Sequence, residues 1–448
     1  MTDALSKGGC CFIEAGKLTD QLHNARPAHS RVREIIAKSG RKQPLEVAET
    51  ATLLAVTDPE LLQEIFAAAR RLKQEVYGNR LVLFAPLYIG NFCVNDCRYC
   101  SFRHSLASTV RHTLSNQELT GKVRQLETLG HKRLTLVYGE HPQYTPEFIA
   151  DTVRFCYQAG KAIRRININA APQSVSGFAT LKAAQIGTYQ LFQETYHPEL
   201  YALYHPRRTR KGNYLWRLDG LDRALEGGCD DVGFGVLLGL CDWRFETLAL
   251  VSHAVHLQQK YGLGPHSISL PRLTDSCGFT LNYPVSDRDF KRMVAILRLA
   301  IPYCGLIIST RDTAAISEEI LPVGISQLNA GPHLEFAAGT REPTMDEVMH
   351  WLLERDFLPS FCTSCYRHGR NGVHRMEYAI PGFTESFCTP NAILTLAEYL
   401  EENASASTKE LGYRQIDREL ARLRNTKRVD AVKERLQQIR SGERELYF

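Results

Sequence analysis

The chain has 448 residues, enough for about three domains of ~150 residues or for one large barrel with attachments. Apolar residues at 44% and charged residues at 23% match an ordinary globular protein, which excludes a disordered chain, a coiled coil and a collagen-like fibre. The 54 basic and 49 acidic residues are interleaved, so the formal charge of +5 forms no concentrated stripe and no nucleic-acid partner is expected. No apolar run reaches the ~18 residues needed to span a bilayer, and the opening MTDALSKGGCCFIEAGK lacks the layout of a secretory signal. No membrane partner and a cytoplasmic location are therefore expected.

Taken in chain order, residues 1–78 read as an N-terminal helical extension: from Asp3 to about Gly78, apolar residues recur at three- and four-residue steps, as in PELLQEIFAAARRLKQEVYG. Eight short apolar runs follow, at 80–89, 133–140, 164–171, 188–194, 231–239, 266–272, 305–311 and 323–330, separated by amphipathic helical stretches. Strand-helix alternation predicts a parallel sheet, and eight repeats favour a closed (β/α)8 barrel of the TIM type over residues 79–342. Residues 343–448 change pattern again, to the helix TMDEVMHWLLERDF, a Cys-rich loop, the helix PNAILTLAEYLEENA and a charged helical tail read as a solvated face. The expected class is α/β, with a helical layer before the barrel and a helical module after it.

The thirteen cysteines are odd in number and include two widely spaced clusters rather than a disulfide lattice, which the cytoplasm would reduce, so metal binding is the first expectation. Cys93, Cys97 and Cys100 follow the first strand, where a barrel carries its catalytic loops. Three thiolates at C-x3-C-x2-C can hold three irons of a [4Fe-4S] cluster and leave the fourth open; His104 could instead complete a tetrahedral zinc site. Cys362, Cys365 and Cys388 form a second triplet, C-x2-C-x22-C, with His368 and His374 near enough in sequence for the same zinc alternative. Cys10, Cys11, Cys156, Cys229, Cys241, Cys277 and Cys304 have no usable spacing and read mostly as small buried hydrophobes.

The first triplet, with Tyr99 before its last cysteine, resembles the signature of the radical S-adenosylmethionine (SAM) enzymes. That resemblance implies SAM chelating the open iron and reductive cleavage to a 5'-deoxyadenosyl radical, with the barrel supplying position and exclusion of water. It also implies SAM contacts from Tyr99, from the Gly139–Glu140 turn after strand two, from Glu194 and Arg217 toward the SAM amine and carboxylate, and from Gly235 beside Gly233 and Gly239 on strand five.

The phrases LFAPLYIGNFCVNDCRYCSF, GTYQLFQETYHPELYALYHP, GPHSISLPRL, FCTSCYRHGRNG, FCTPNAILTLAEYL and SGERELYF resemble the HydG family of iron-iron hydrogenase maturases, from about residue 30 to the end. The related 2-iminoacetate synthases, ThiH, share the barrel but not the second triplet. The resemblance implies a tyrosine lyase that releases p-cresol and a glycine-derived fragment, the fragment becoming carbon monoxide and cyanide at an auxiliary [4Fe-4S] cluster on Cys362, Cys365 and Cys388. It further implies an additional iron there, linked through free cysteine and bound by His266, and partners comprising a reductant such as ferredoxin or flavodoxin and the other hydrogenase maturation factors. Asn329 and Pro332 stand where the family carries serines, and the following loop is shorter, leaving Arg311, His333 and Arg341 as candidates for a substrate carboxylate. A divergent lyase acting on another amino acid, and a non-catalytic iron-sulfur or zinc scaffold, are the alternatives.

Overall fold

The computed structural model describes residues 4–206, 209–274, 278–309, 314–330, 343–367, 369, 371–423 and 426–448. Cys277, Arg311, Pro332, His333, Arg341 and His368 lie outside the described residues.

Four helices come first: α1 (Ala15–Asn24), α2 (His29–Gly40), α3 (Val47–Leu54) and α4 (Pro59–Tyr77). Residues 4–14, expected to continue the helical pattern, instead form an extended strap, since Gly8 adopts φ +71° and Gly9 closes a turn onto Ser6. Ser6 and Lys7 tie this strap to Asp219 and Glu226 on the barrel flank. Cys10 and Cys11 are exposed on it, against the expectation of burial, whereas Cys156, Cys229, Cys241 and Cys304 are buried.

The barrel follows as β1 (Arg80–Gly90), α5 (Asn116–Thr128), β2 (Arg133–Tyr138), α6 (Pro146–Ala159), β3 (Arg165–Asn169), α7 (Val175–Ala183) and β4 (Thr188–Glu194). It continues with α8 (Pro198–Tyr204), α9 (Tyr214–Leu218), α10 (Gly220–Glu226), β5 (Asp231–Val236), α11 (Trp243–Tyr261), β6 (Ser267–Ser269), α12 (Asp287–Ala300), β7 (Gly305–Ser309), α13 (Ala314–Ile320) and β8 (Gln327–Asn329). All eight strands are parallel; seven fall within the runs read from sequence, and β1 exceeds its run by one residue, Gly90. Pairing of Leu83 with Leu328 and of Leu87 with Leu136 closes the ring as the (β/α)8 barrel that was expected.

The two faces of the strands differ in chemistry. Outward residues such as Leu81, Leu83, Leu134, Leu136, Ile166, Ile168, Val232, Phe234, Leu306 and Ile308 are buried against the helices. Many of their alternate neighbours face the lumen and are polar or glycine, among them Arg80, Arg133, Thr135, Arg165, Asn167, Thr188, Gln190, Asp231, Gly233, Gly235, Ser267, Ser269, Gly305, Gln327 and Asn329, while Val82, Phe84, Phe192 and Ile307 add apolar side chains to the same face. A TIM-type interior is ordinarily filled by branched aliphatic side chains. This one is rich in polar groups, with Arg165 donating to Asn167 at 2.8 Å and Thr188 at 2.5 Å, and Gln190 to Ser269.

After the barrel come α14 (Met345–Glu354), β9 (Leu358–Ser360), α15 (Ser364–Arg367), α16 (Gly372–Ala379), α17 (Thr384–Glu402), α18 (Ala406–Arg422) and α19 (Thr426–Arg440). Strand β9 pairs in parallel with the start of β1, Leu81 opposite Pro359, so the segment bearing the second triplet is stitched to the barrel rim. Helix α17 begins six residues before Pro390, where the sequence pattern had placed its start, and carries Cys388 within it. Pro390 cannot donate to the Ser386 carbonyl four residues back, and Arg428 supplies that bond at 2.8 Å. The charged tail is solvated on one side, but Ile416, Val432, Leu436 and Ile439 are buried. Among the described residues no helix is long and apolar enough to cross a membrane.

Arg298 on α12 is fully buried and holds the β7 and β8 connections together, donating to Gly324 O at 2.6 Å, Pro302 O at 2.9 Å and Cys304 O at 2.8 Å. Arg298→Leu leaves these carbonyls without their donor and is expected to lower stability by about 3 kcal/mol, read as an earlier denaturation midpoint.

Candidate functional site

The first triplet occupies the loop that leaves β1 at the C-terminal end of the barrel. Arg111 braces this loop by donating to the carbonyls of Asn91 and Phe102 at 2.8 Å and of Arg103 at 2.6 Å. Within it the Asn95 amide donates to Cys93 Sγ at 3.7 Å and to Glu140 Oε2 at 2.8 Å, and the Phe102 amide donates to Cys100 Sγ at 3.3 Å. Cys93, Cys97 and Cys100 are close enough to perturb one another electrostatically; burial pushes the Cys97 thiol up and the Cys100 thiol to about 12. Such thiols lose their protons when metal enters, which suits ligands of a cluster rather than free nucleophiles.

Gly139 and Glu140 lie against this loop. The Gly139 amide donates to Gly90 O at 2.9 Å, a Cβ on Gly139 would strike the Phe92 carbonyl at 2.1 Å, and Glu140 O accepts from Val94. Tyr99 is buried, and its hydroxyl lies 2.7 Å from His205 Nε2. His205 Nδ1 must donate to Tyr201 O at 2.8 Å, so Nε2 is the acceptor and Tyr99 donates. Burial lowers His205 to about 2 and keeps this ring neutral.

Glu194 ends β4 at a bulge and has φ +72°, a conformation an L side chain adopts at a cost of about 1–3 kcal/mol and one concentrated at working sites. Its Oε1 accepts from Arg217 at 3.1 Å and from Lys211 at 2.8 Å, while Arg217 Nε anchors to Phe192 O. Burial opposes the charge on Arg217, but Glu194 together with Tyr201, Glu140 and Tyr189 more than offsets it, and the guanidinium is held above its ordinary range. Gly235 faces the lumen below; a Cβ there would sit 2.5 Å from Ser269 O and 2.8 Å from the Phe192 ring. Tyr99, Glu140, Glu194 and Arg217 thus gather with the triplet at one end of the lumen.

The second triplet is at the other end. Cys362, Cys365 and Cys388 line a cavity of about 100 Å³ together with His266, Arg80, Arg133 and Arg165 at the strand starts. Cys365 and Cys388 are in hydrogen-bond contact, which with burial drives the Cys365 thiol well up. Arg133 donates to Cys362 O at 3.3 Å, and Arg80 and Arg133 each keep a buried Nε without a hydrogen-bond partner. His266 Nδ1 lies 3.4 Å from Asp231 Oδ2; burial brings its pKa to about 4, against the pull of Asp231, so the imidazole is neutral and able to ligate metal. Burial would raise the Asp231 carboxyl, but His266, Arg165 and Arg375 hold it below the usual range. His374, the alternative ligand, is exposed and beside Glu377. Among the described residues, no three His, Cys, Asp or Glu side chains stand together as a site for one metal ion.

Sequence reading missed Lys211, Asn95, His205 and the arginine ring. The ring had a visible signal: three strands open with arginine, as RLVL, RLTL and RINI. Lys211 had none, since it lies in an irregular turn, Arg210–Gly212, between α8 and α9.

A (β/α)8 barrel whose first loop carries C-x3-C-x2-C defines a radical SAM enzyme, and the Radical SAM superfamily model matches residues 87–250, followed by the Biotin and Thiamin Synthesis associated domain at 269–358. A crystal structure of HydG, a maturase of the [FeFe]-hydrogenase, is 42% identical and superposes with a TM-score of 0.93 over 98% of this chain and 100% of that one. HydG from Carboxydothermus hydrogenoformans is 36% identical, with a TM-score of 0.82 over 94% and 97%. The 2-iminoacetate synthase of Salmonella typhimurium is 31% identical over 62% of this chain and 73% of its own. The chain belongs to the HydG family. Membership implies a [4Fe-4S] cluster and SAM, and the first triplet fits them: three thiols on one braced loop, two N–H donors aimed at sulfur, and a buried carboxylate that carries two cations.

Cys97→Ala is expected to remove about four irons per chain from anaerobically reconstituted protein. Zinc in place of iron at the first triplet, measured by elemental analysis, would contradict this assignment.

Proposed function

We propose that the protein is a radical SAM lyase that cleaves tyrosine to p-cresol and a glycine-derived fragment, and that the fragment is converted to carbon monoxide and cyanide at the second triplet for hydrogenase maturation. The observation that carries the reading is two cysteine triplets at opposite ends of one barrel, with hydrogen-bonding groups such as Arg165, Asn167, Thr188, Gln190 and Ser269 inside it that a small ionic fragment could meet on the way between them.

Cys93, Cys97 and Cys100 would hold the first [4Fe-4S] cluster. SAM bound there supplies a 5'-deoxyadenosyl radical for hydrogen abstraction. Glu194 and Arg217 are charged partners for the SAM amine and carboxylate, Glu140 and Gly139 hold the loop in place, and Tyr99 closes the site under the restraint of His205. Gly235 leaves the fifth strand without a side chain beside the same space. Cys362, Cys365 and Cys388 would hold the second [4Fe-4S] cluster, with His266 as ligand to an additional iron linked through free cysteine. Imidazole suits ferrous iron. The ring of Arg80, Arg133 and Arg165 offsets the negative charge of three thiolates. A low-potential reductant protein such as ferredoxin or flavodoxin, and other maturation factors, complete the set of partners.

Anaerobic incubation with SAM, dithionite and tyrosine should yield p-cresol and 5'-deoxyadenosine in step; deoxyadenosine without p-cresol rejects tyrosine as the substrate. The division of labour is checked separately. Cys388→Ala should retain p-cresol formation within about twofold and lose the carbonyl stretching bands in the infrared, whereas bands of wild-type intensity would refute a role for the second triplet.

A further inference from the structure

Glu246 is a carboxylate that the proposed chemistry does not use, buried at 1% exposure in the first turn of α11. Phe245, Thr247 and Leu248 around it are buried as well, and a carboxylate in such a place is costly unless hydrogen bonds compensate it. Two donors come from the residues that directly follow Glu194. Thr195 Oγ1 donates to Oε1, and the Tyr196 amide donates to Oε2 at 3.1 Å and to Oε1 at 3.3 Å. Thr195 Oγ1 in turn accepts from the His197 amide at 3.2 Å, which closes the turn. Seven residues further along the same face of α11, His253 Nδ1 lies 2.6 Å from the Tyr196 hydroxyl, so one helix holds Tyr196 by its backbone and by the tip of its ring. Tyr196 O accepts from the Tyr214 hydroxyl at 2.8 Å, and Tyr214 opens α9, the helix that carries Arg217. Glu194 itself sits at φ +72°, a strain that persists only where the surroundings over-determine the backbone.

We infer that Glu246 is a positioning residue that pins the turn after β4 and so holds the Glu194–Arg217 pair in the geometry that receives the amino-acid end of SAM. The inference rests on the reading of Glu194 and Arg217 as partners of the SAM amine and carboxylate. Without the Glu246 acceptor, the Tyr196 amide and the Thr195 hydroxyl are left buried and unpaired. The backbone at Glu194 is then no longer held against its own preference for negative φ. Glu246 acts through Glu194, and no bond forms or breaks.

The test is the SAM dissociation constant of full-length, anaerobically reconstituted protein, measured by equilibrium dialysis for Glu246→Leu, Glu194→Gln and the double variant. Glu246→Leu is expected to weaken SAM binding about tenfold with iron content at the wild-type value. Glu246→Gln is expected to bring the affinity back to within about twofold of wild type, because its amide oxygen can accept from Tyr196 and its amide N–H can donate to Thr195. In the Glu194→Gln background, Glu246→Leu should add little further loss, since it acts through that carboxylate. A merely structural role would lower the denaturation midpoint and leave the SAM affinity of the folded protein unchanged. That result, with SAM binding weakened in Glu194→Gln, overturns the inference alone. Losses that add in the double variant also overturn it. Unchanged affinity in Glu194→Gln rejects the SAM reading of that carboxylate and the inference with it. If Glu246→Leu is recovered unfolded, Thr195→Val, which removes one of the two donors, takes its place; about threefold weaker SAM binding is expected, and unchanged binding overturns the inference.

Discussion

Three guanidinium groups, those of Arg80, Arg133 and Arg165, are buried in one layer at the N-terminal rim of the barrel, and the carboxylate among them is Asp231. Burying charge in this way is costly unless counter-charge is brought to it. Asp231 supplies one such charge, and the C-terminal segment converges on it. Strand β9 extends the sheet so that Cys362 and Cys365 lie over the ring, α16 brings Arg375 and the Gly372 amide to Asp231, and α17 delivers Cys388 to the same cavity, where the three thiols add negative charge only on losing their protons. The rim is where barrel and C-terminal segment become one structure, held by electrostatics as much as by apolar packing.

The same constraint explains the lumen. A barrel that begins with charged residues facing inward needs hydrogen-bonding neighbours above them, and Asn167, Thr188, Gln190 and Ser269 provide these. Glycines at 233, 235 and 305 keep strands five to seven close without adding side chains to the channel. At the far end the charges reappear as Glu194, Arg217 and Lys211, with the carboxylate held in a strained conformation between two cations. The two ends are thereby separated by a barrel interior rich in hydrogen-bonding groups. Most of the aliphatic strand residues point the other way, into the helices.

The position of Cys388 shows how local irregularity is absorbed. A proline two residues beyond it would normally end or kink the helix, but Arg428 satisfies the carbonyl that Pro390 leaves open, and Asn391 pairs through its side-chain amide with the backbone of Phe448. Glu398, one face further along α17, accepts from the amides of Glu445 and Leu446 and pairs with Lys132. The final residues therefore clamp the helix that carries the third thiol.

The short apolar runs and the spacing of the two triplets are local properties, and both were legible from the order of residues: the eight strands, the parallel barrel and the two sets of cysteines follow from periodicity and spacing alone. The resemblance to the radical SAM enzymes added Tyr99, Glu140, Glu194 and Arg217 as site candidates, and that of whole phrases to the HydG family added His266. Lys211, Asn95, His205 and the arginine ring could not be recognised in the same way, because each acquires its meaning from a partner on another element, 17 residues away for Lys211 and 45 or more for Asn95 and His205, or from strands that meet only when the barrel closes. Periodicity reports which face a residue occupies, but not which charges converge on that face. That convergence depends on register, on the bulge at Glu194 and on the helix that continues through Pro390, so only the tertiary structure decided it.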